Sequence, residues 1–176
     1  MKTATTKTVK PRPLKPGDSK PYALTVTKPD GAVEAHEGVY TVNAQHRKRM
    51  KKKSFWTVSP NAEVDCFETN YDWYWRGGDE SKEMPKKYFG ILVDIDNNFM
   101  PLGTNRQEEK VRIARFIPYN HEADGLNRQW HGYPACYWRN DQDVPSSDFL
   151  RGLVRRGLIS GSDVDKIIHG QICRKL

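Results

Sequence analysis

The sequence predicts an α+β domain: an antiparallel β-sheet body, a helical hairpin at its C-terminal end and a disordered basic arm in front. Three observations carry that prediction. Residues 1–20 hold three Pro and six Lys/Arg with almost nothing apolar, so they cannot bury enough surface to offset the entropy of ordering. Residues 21–117 alternate short β-branched or aromatic runs with turn residues. Residues 146–176 carry two apolar stripes at helical spacing. At 176 residues the chain suits one domain plus a tail, divided here into the arm at 1–20 and a single domain over 21–176.

Taken in order, Tyr22–Thr27 reads as a strand and Lys28-Pro-Asp-Gly31 as a turn. Residues 32–42 resume as one or two strands, with Gly38 a candidate bulge. After the cationic run ending at Lys53, residues 54–58 (SFWTV) read as another strand. Residues 61–83 are acidic and aromatic, mixing Glu63, Asp65, Glu68 and Asp72 with Phe67, Tyr71, Trp73, Tyr74 and Trp75; Arg76–Glu80 closes the segment as a loop. The continuous apolar run Tyr88–Val93 predicts a strand buried on both faces, turning at Asp96–Asn98 and returning through Phe99–Leu102. Residues 108–116 fit either a short helix or a strand, and the alternation in VRIARFI favours the strand.

Residues 118–145 predict an aromatic loop segment around Gln129–Pro134 (QWHGYP). In it Trp130, Tyr133 and Trp138 would plug the sheet against the C-terminal helices. Pro145–Ser147 caps a first helix bearing Phe149, Leu150, Leu153 and Val154, ended by Gly157. Ser160–Ser162 caps a second bearing Val164, Ile167 and Ile168, with Gly170 at its end.

Charge is unevenly spread. Residues 1–53 hold 13 Lys/Arg against 4 Asp/Glu, whereas residues 54–176 hold 16 against 18. The basicity belongs to the N-terminal third and points to an anionic partner, either nucleic acid or an acidic protein surface. Six of the seven positions from Arg47 to Lys53 are basic. Arg47, Lys48, Arg49, Lys51, Lys52 and Lys53 are therefore the candidate phosphate contacts, with Trp56 the candidate for stacking on a base. As a run of this kind is often only a solvated loop, the charge map ranks hypotheses without identifying a partner.

Chemistry is less well signalled. His131, presented between Trp130 and Gly132, could act as a general base or ligand, and Asp94 and Asp96 end the predicted strand. Together these three are the candidate catalytic set of a His-dependent hydrolase or nuclease. A histidine packed among aromatics is more often merely hydrogen-bonded, and Asp beside a turn usually serves the turn. The sequence has no phosphate-binding loop, nucleotide fingerprint, nucleophile elbow or paired zinc spacing, so no cofactor and no metal are predicted. Three widely spaced cysteines argue against a disulfide framework, and no apolar run is long enough for a membrane span. A soluble cytoplasmic protein is expected.

The Trp-His-Gly-Tyr-Pro segment, the Pro-led helix after it and the Ile-Ser-containing start of the last helix resemble the endings of small bacterial and phage proteins of unassigned activity. The resemblance covers about the last 50 residues and implies a bacterial or mobile-element origin, with no activity to carry over to His131. The leading expectation is a small non-enzymatic accessory protein that binds nucleic acid or a nucleoprotein complex through its N-terminal third. The alternatives are a protein-interaction module, such as an inhibitor or adaptor, and the His131 hydrolase or nuclease.

Overall fold

The computed structural model describes residues 12–27, 30–49, 53–76, 87–119 and 128–176, without the side chains of Val26, Trp75 and Arg76. Among the described residues eight strands and three α-helices form an α+β architecture. The strands are β1 (Ser19–Thr27), β2 (Val33–Thr41), β3 (Phe55–Trp56), β4 (Tyr88–Gly90), β5 (Gly103–Thr104), β6 (Lys110–Val111), β7 (Ala114–Pro118) and β8 (Arg128–Pro134). The helices are α1 (Pro60–Arg76), α2 (Ser147–Arg155) and α3 (Gly161–Ile168). The main sheet runs β1-β2-β8-β7-β4, and a small second sheet runs β3-β5-β6.

The main sheet is mixed, which corrects the antiparallel expectation. β2 and β8 pair in parallel, with Gly38 opposite Arg128 and Tyr40 opposite Trp130, while the other pairs are antiparallel. A parallel neighbour needs a long crossover; here everything from residue 42 to residue 127 separates the two strands, a distance that local pattern cannot report. Gly38 is no bulge, because the β1–β2 register runs through it unbroken. It is a close-approach site: a Cβ there would lie 2.5 Å from the Arg128 carbonyl oxygen and against the Tyr22 hydroxyl.

The body begins earlier than expected. The Asp18 carboxylate accepts from the Lys15 N–H (2.8 Å) and pairs with Arg12 (3.1 Å). Gly17 donates to the Val42 carbonyl, and the Leu14 N–H donates to the Asn61 side chain (2.9 Å). Residues 12–20 are thus tied to the fold, and residues 1–11 of the expected arm lie outside the described residues.

The largest difference is α1. Ser59 accepts from the Ala62 N–H and Pro60 takes the first helical position, where its missing N–H costs nothing. Val64, Phe67 and Tyr71 then fall on one face and are buried. The predicted strand Tyr88–Val93 keeps only β4, at the sheet edge, and its turn survives as the bridge Val93–Phe99. The VRIARFI run is extended as expected but divides, β6 joining the small sheet and β7 the main one. The predicted loop around Trp130 contains β8, an inner strand flanked by β2 and β7.

Two cores result. Tyr40, Phe67, Tyr71, Tyr88, Phe116 and Trp130 pack with α1, and Phe89, Ile113, Tyr137, Phe149, Leu153 and Ile167 pack with α2 and α3. Adjacent strand residues point to opposite faces, so Tyr88 enters the first core and Phe89 the second. Trp130 rings contact Phe67, Tyr71 and Tyr88; Trp130 therefore faces α1 rather than the C-terminal helices, and Tyr133, Tyr137 and Trp138 meet the second core. The helical hairpin matches its sequence in its caps and ends, although Val154 and Ile168 of the expected apolar stripes are exposed. Ser146 and Ser160 cap α2 and α3, and Gly157 and Gly170 take positive φ beyond their ends. Among the described residues, no helix is long and apolar enough to cross a membrane.

Candidate nucleic-acid interface

The basic run divides on folding. Arg47 turns inward: its guanidinium donates to the Val58 carbonyl and pairs with Glu63, leaving the Arg47 side chain 9% exposed and Glu63 fully buried. The Tyr40 hydroxyl donates to the same carboxylate (2.7 Å). Burial pushes the Glu63 carboxyl above the usual range, and the Arg47 charge opposes that shift. Trp56 is also spent in the core. Its indole N–H donates to the Gly132 carbonyl (3.0 Å) and its ring stacks near Phe116, at 3% exposure, so no face is left for a base. Lys48 and Arg49 are exposed, Arg49 pairing with Glu108. Lys53 donates to the Gln45 side chain (2.7 Å). Lys51 and Lys52 lie outside the described residues.

Beside the exposed cations a polar groove of about 620 Å³ opens, lined by Lys53, Arg106 and Arg139 together with His46, Asn105 and Tyr133. Each wall is built locally. On one side the Asn43 side chain caps a short 3₁₀ turn over Ala44–His46, and the His46 Nδ1 lies 3.1 Å from the Ser54 carbonyl. Facing a carbonyl, Nδ1 must carry the proton, which leaves Nε2 as the acceptor. Burial, followed by the Lys53 charge, lowers the His46 pKa, so the ring is neutral near pH 7. On another side the side-chain Oδ1 of Asn105 accepts from the Gln107 and Glu109 N–H groups (3.0 and 2.9 Å). That turn sets Arg106 at a loop tip and Glu109 against Arg139 (3.0 Å).

The floor comes from β7 and β8. The His46 ring stacks on Tyr133 at 5.2 Å. The Tyr133 hydroxyl donates to Asp143 (2.9 Å) and accepts from Arg115 (3.0 Å), which also reaches Asp143 (3.3 Å). The Cys136 N–H completes the shell of Asp143 (3.1 Å). This carboxylate is saturated by protein donors, so it holds the groove in shape while three cations face the opening.

The candidate catalytic residues do not assemble. His131 is half-buried, stacked on Tyr119 at 4.0 Å, and its Nδ1 has no hydrogen-bond partner among the described residues. Burial, with His46 nearby, lowers its pKa to about 4. Asp94 serves its own turn, accepting from the Asp96 and Asn98 N–H groups (2.9 and 2.8 Å), which holds its carboxyl below the usual range. Asp96 is exposed in that turn. Among the described residues no hydrogen bond or ion pair joins either carboxylate to His131, and no three His, Cys, Asp or Glu side chains could hold a metal ion.

Sequence reasoning missed His46, Arg106, Arg115, Arg139 and Asp143 at the groove. They come from four separated segments, and nothing local marks them. Searches against protein-family models, curated proteins and solved structures returned no match.

Proposed function

We propose that the protein is a non-enzymatic accessory protein that binds nucleic acid, holding a single-stranded stretch of backbone in the groove beside His46 and Tyr133. What carries the reading is the convergence of Lys53, Arg106 and Arg139 from three segments on one polar groove. Isolated surface cations attract phosphate weakly; several along one trough can follow a strand and release its counterions. Arg49 and Arg139 already hold Glu108 and Glu109, so phosphate must compete with those carboxylates. Lys53 and Arg106 have no carboxylate partner among the described residues and should contribute most. A base would stack at the His46–Tyr133 pair rather than at the buried Trp56.

The test is fluorescence anisotropy with labelled single-stranded RNA and DNA across a salt series. The double variant Lys53→Ala/Arg106→Ala should bind at least about tenfold more weakly at low salt and flatten the log–log salt slope by roughly 1.4, two phosphates at about 0.7 each. Arg139→Ala should cost less. No binding at low salt, or binding indifferent to salt and to these residues, would sink the proposal.

A further inference from the structure

A second cavity, of about 200 Å³, lies between α1 and α2, with Trp73, Phe89 and Phe149 among its walls and Lys87, Arg151 and Arg155 at its mouth. The wall is a set of offset rings: Trp73 meets Phe149 edge-on at 6.0 Å, and Phe89 meets Phe149, tilted, at 6.0 Å. The indole lies directly against the α2 backbone at Gly152, where any Cβ would overlap the ring. The absence of a side chain at that position is what lets α1 and α2 share a ring-lined space.

Size limits the ligand. A cavity of ~150 Å³ holds a benzene molecule, and pockets for drug-sized ligands start near ~300 Å³. About 200 Å³ suits one ring or a small fused pair. Charge limits it further. Cations of the chain already lie over two of these rings, with Arg156 5.4 Å from the Trp73 centroid and the Lys87 Nζ 5.7 Å from that of Phe89. A cationic ligand would therefore meet like charge. At the mouth Asp148 pairs with Arg151, which leaves Arg155 without a carboxylate partner among the described residues, while the Lys87 Nζ donates to the Gln142 carbonyl (3.5 Å). Burial and the nearby Arg115 hold the Lys87 ammonium below its ordinary range although the Asp143 charge opposes them, a cost that an anion would further relieve.

We propose that the cavity between α1 and α2 binds a small aromatic acid, its ring among Trp73, Phe89 and Phe149 and its carboxylate at Arg155 and Lys87. The cavity shares no lining residue with the nucleic-acid groove. Buried rings supply the apolar contact, and a guanidinium supplies charge-assisted hydrogen bonds that distinguish an acid from its amide.

Isothermal titration of the full chain with indole-3-acetate, its neutral amide indole-3-acetamide and the cation tryptamine tests the proposal. Indole-3-acetate should saturate one site in the millimolar range or below, at least about tenfold tighter than the amide, with no saturable binding of tryptamine. Acetate should not compete, since it lacks the ring. Arg155→Gln, a change at an exposed position, should abolish most of the acid-over-amide preference. Trp73→Phe should weaken acid and amide together. Equal affinity for acid and amide, binding of tryptamine, competition by acetate, or no saturable binding of indole-3-acetate would each overturn the proposal.

Discussion

The guanidinium of Arg47 is bonded to the carboxylate of Glu63, and neither group is open to solvent. The first cation of the basic run thus belongs to the core, where it also lies 5.8 Å from the centroid of the Trp56 ring. Removing one partner of a buried ion pair strands the other, at a cost of about 3–5 kcal/mol. Arg47→Ala should lower the urea midpoint accordingly, yet leave the nucleic-acid affinity of the folded fraction close to wild type. Adding Glu63→Gln should restore much of the stability, because a neutral amide can still accept from Tyr40. A midpoint unchanged in Arg47→Ala would show that the pair contributes nothing.

Acid should weaken the fold partly through His131. Its folded pKa lies near 4, below an ordinary histidine, so between about pH 4 and 6.5 the unfolded chain binds the proton that the folded chain refuses. The group's contribution is present above the unfolded pKa and is lost as pH falls through that window. His46 is shifted in the same direction. Replacing His131 with Phe should shrink the loss of unfolding free energy between pH 7 and pH 5 by about 1 kcal/mol, a figure reduced for the partial exposure of the ring. Urea titrations at the two pH values decide it.

Gly38 sets the spacing of β1, β2 and β8. In Gly38→Ala the new methyl group meets the Arg128 carbonyl and the Tyr22 hydroxyl, and backbone cannot step aside as a side-chain tip can. A loss of about 1–3 kcal/mol is expected from this overpacking, visible as a lower thermal midpoint. An unchanged midpoint would mean that the strands separate freely here.

Ser160 and Asp163 form a reciprocal capping box at the start of α3, the serine oxygen accepting from the Asp163 N–H and the carboxylate from the Ser160 N–H (2.9 Å). Ser160→Ala should cost about 1 kcal/mol. The Ser160 N–H and, after it, the Ser160 hydroxyl (2.8 Å) donate to the Asp163 carboxylate and hold its pKa at about 2. The variant removes only the hydroxyl's bond, so NMR titration should show that pKa moving part of the way up towards the ordinary carboxylate range.

The α2–α3 hairpin was readable because its signals are local: Ser caps, helical apolar spacing and glycines beyond each end. α1 was equally local. Ser59-Pro60 and the spacing of Val64, Phe67 and Tyr71 mark a helix, but the dense aromatics and alternating acids obscured the period. β8 was hidden for another reason. Gly132 and Pro134 look like turn residues, yet Gly132 admits the Phe116 ring and Pro134 ends the strand. Arg47 and Trp56 show the limit of reading charge from sequence, since composition made them surface candidates and only the position of Glu63 and Gly132 brings them inside. Of the groove's cations only Lys53 was read from the sequence, because Arg106 and Arg139 join it through tertiary closure.

The parallel pairing of β2 with β8 has a consequence for how the chain is made. Gly38 finds its partner at Arg128, ninety positions later, so during synthesis the β1–β2 hairpin leaves the ribosome roughly 5–20 seconds before the strand that completes its sheet. A lone hairpin is marginal in water, and in that interval Tyr22 and Tyr40 stand uncovered until α1 arrives. Deletion of residues 1–53 would likewise leave β8 as a bare edge and take β1 and β2 away from α1. The basic third is therefore no detachable module: its two strands form one side of the main sheet and cover part of the first core.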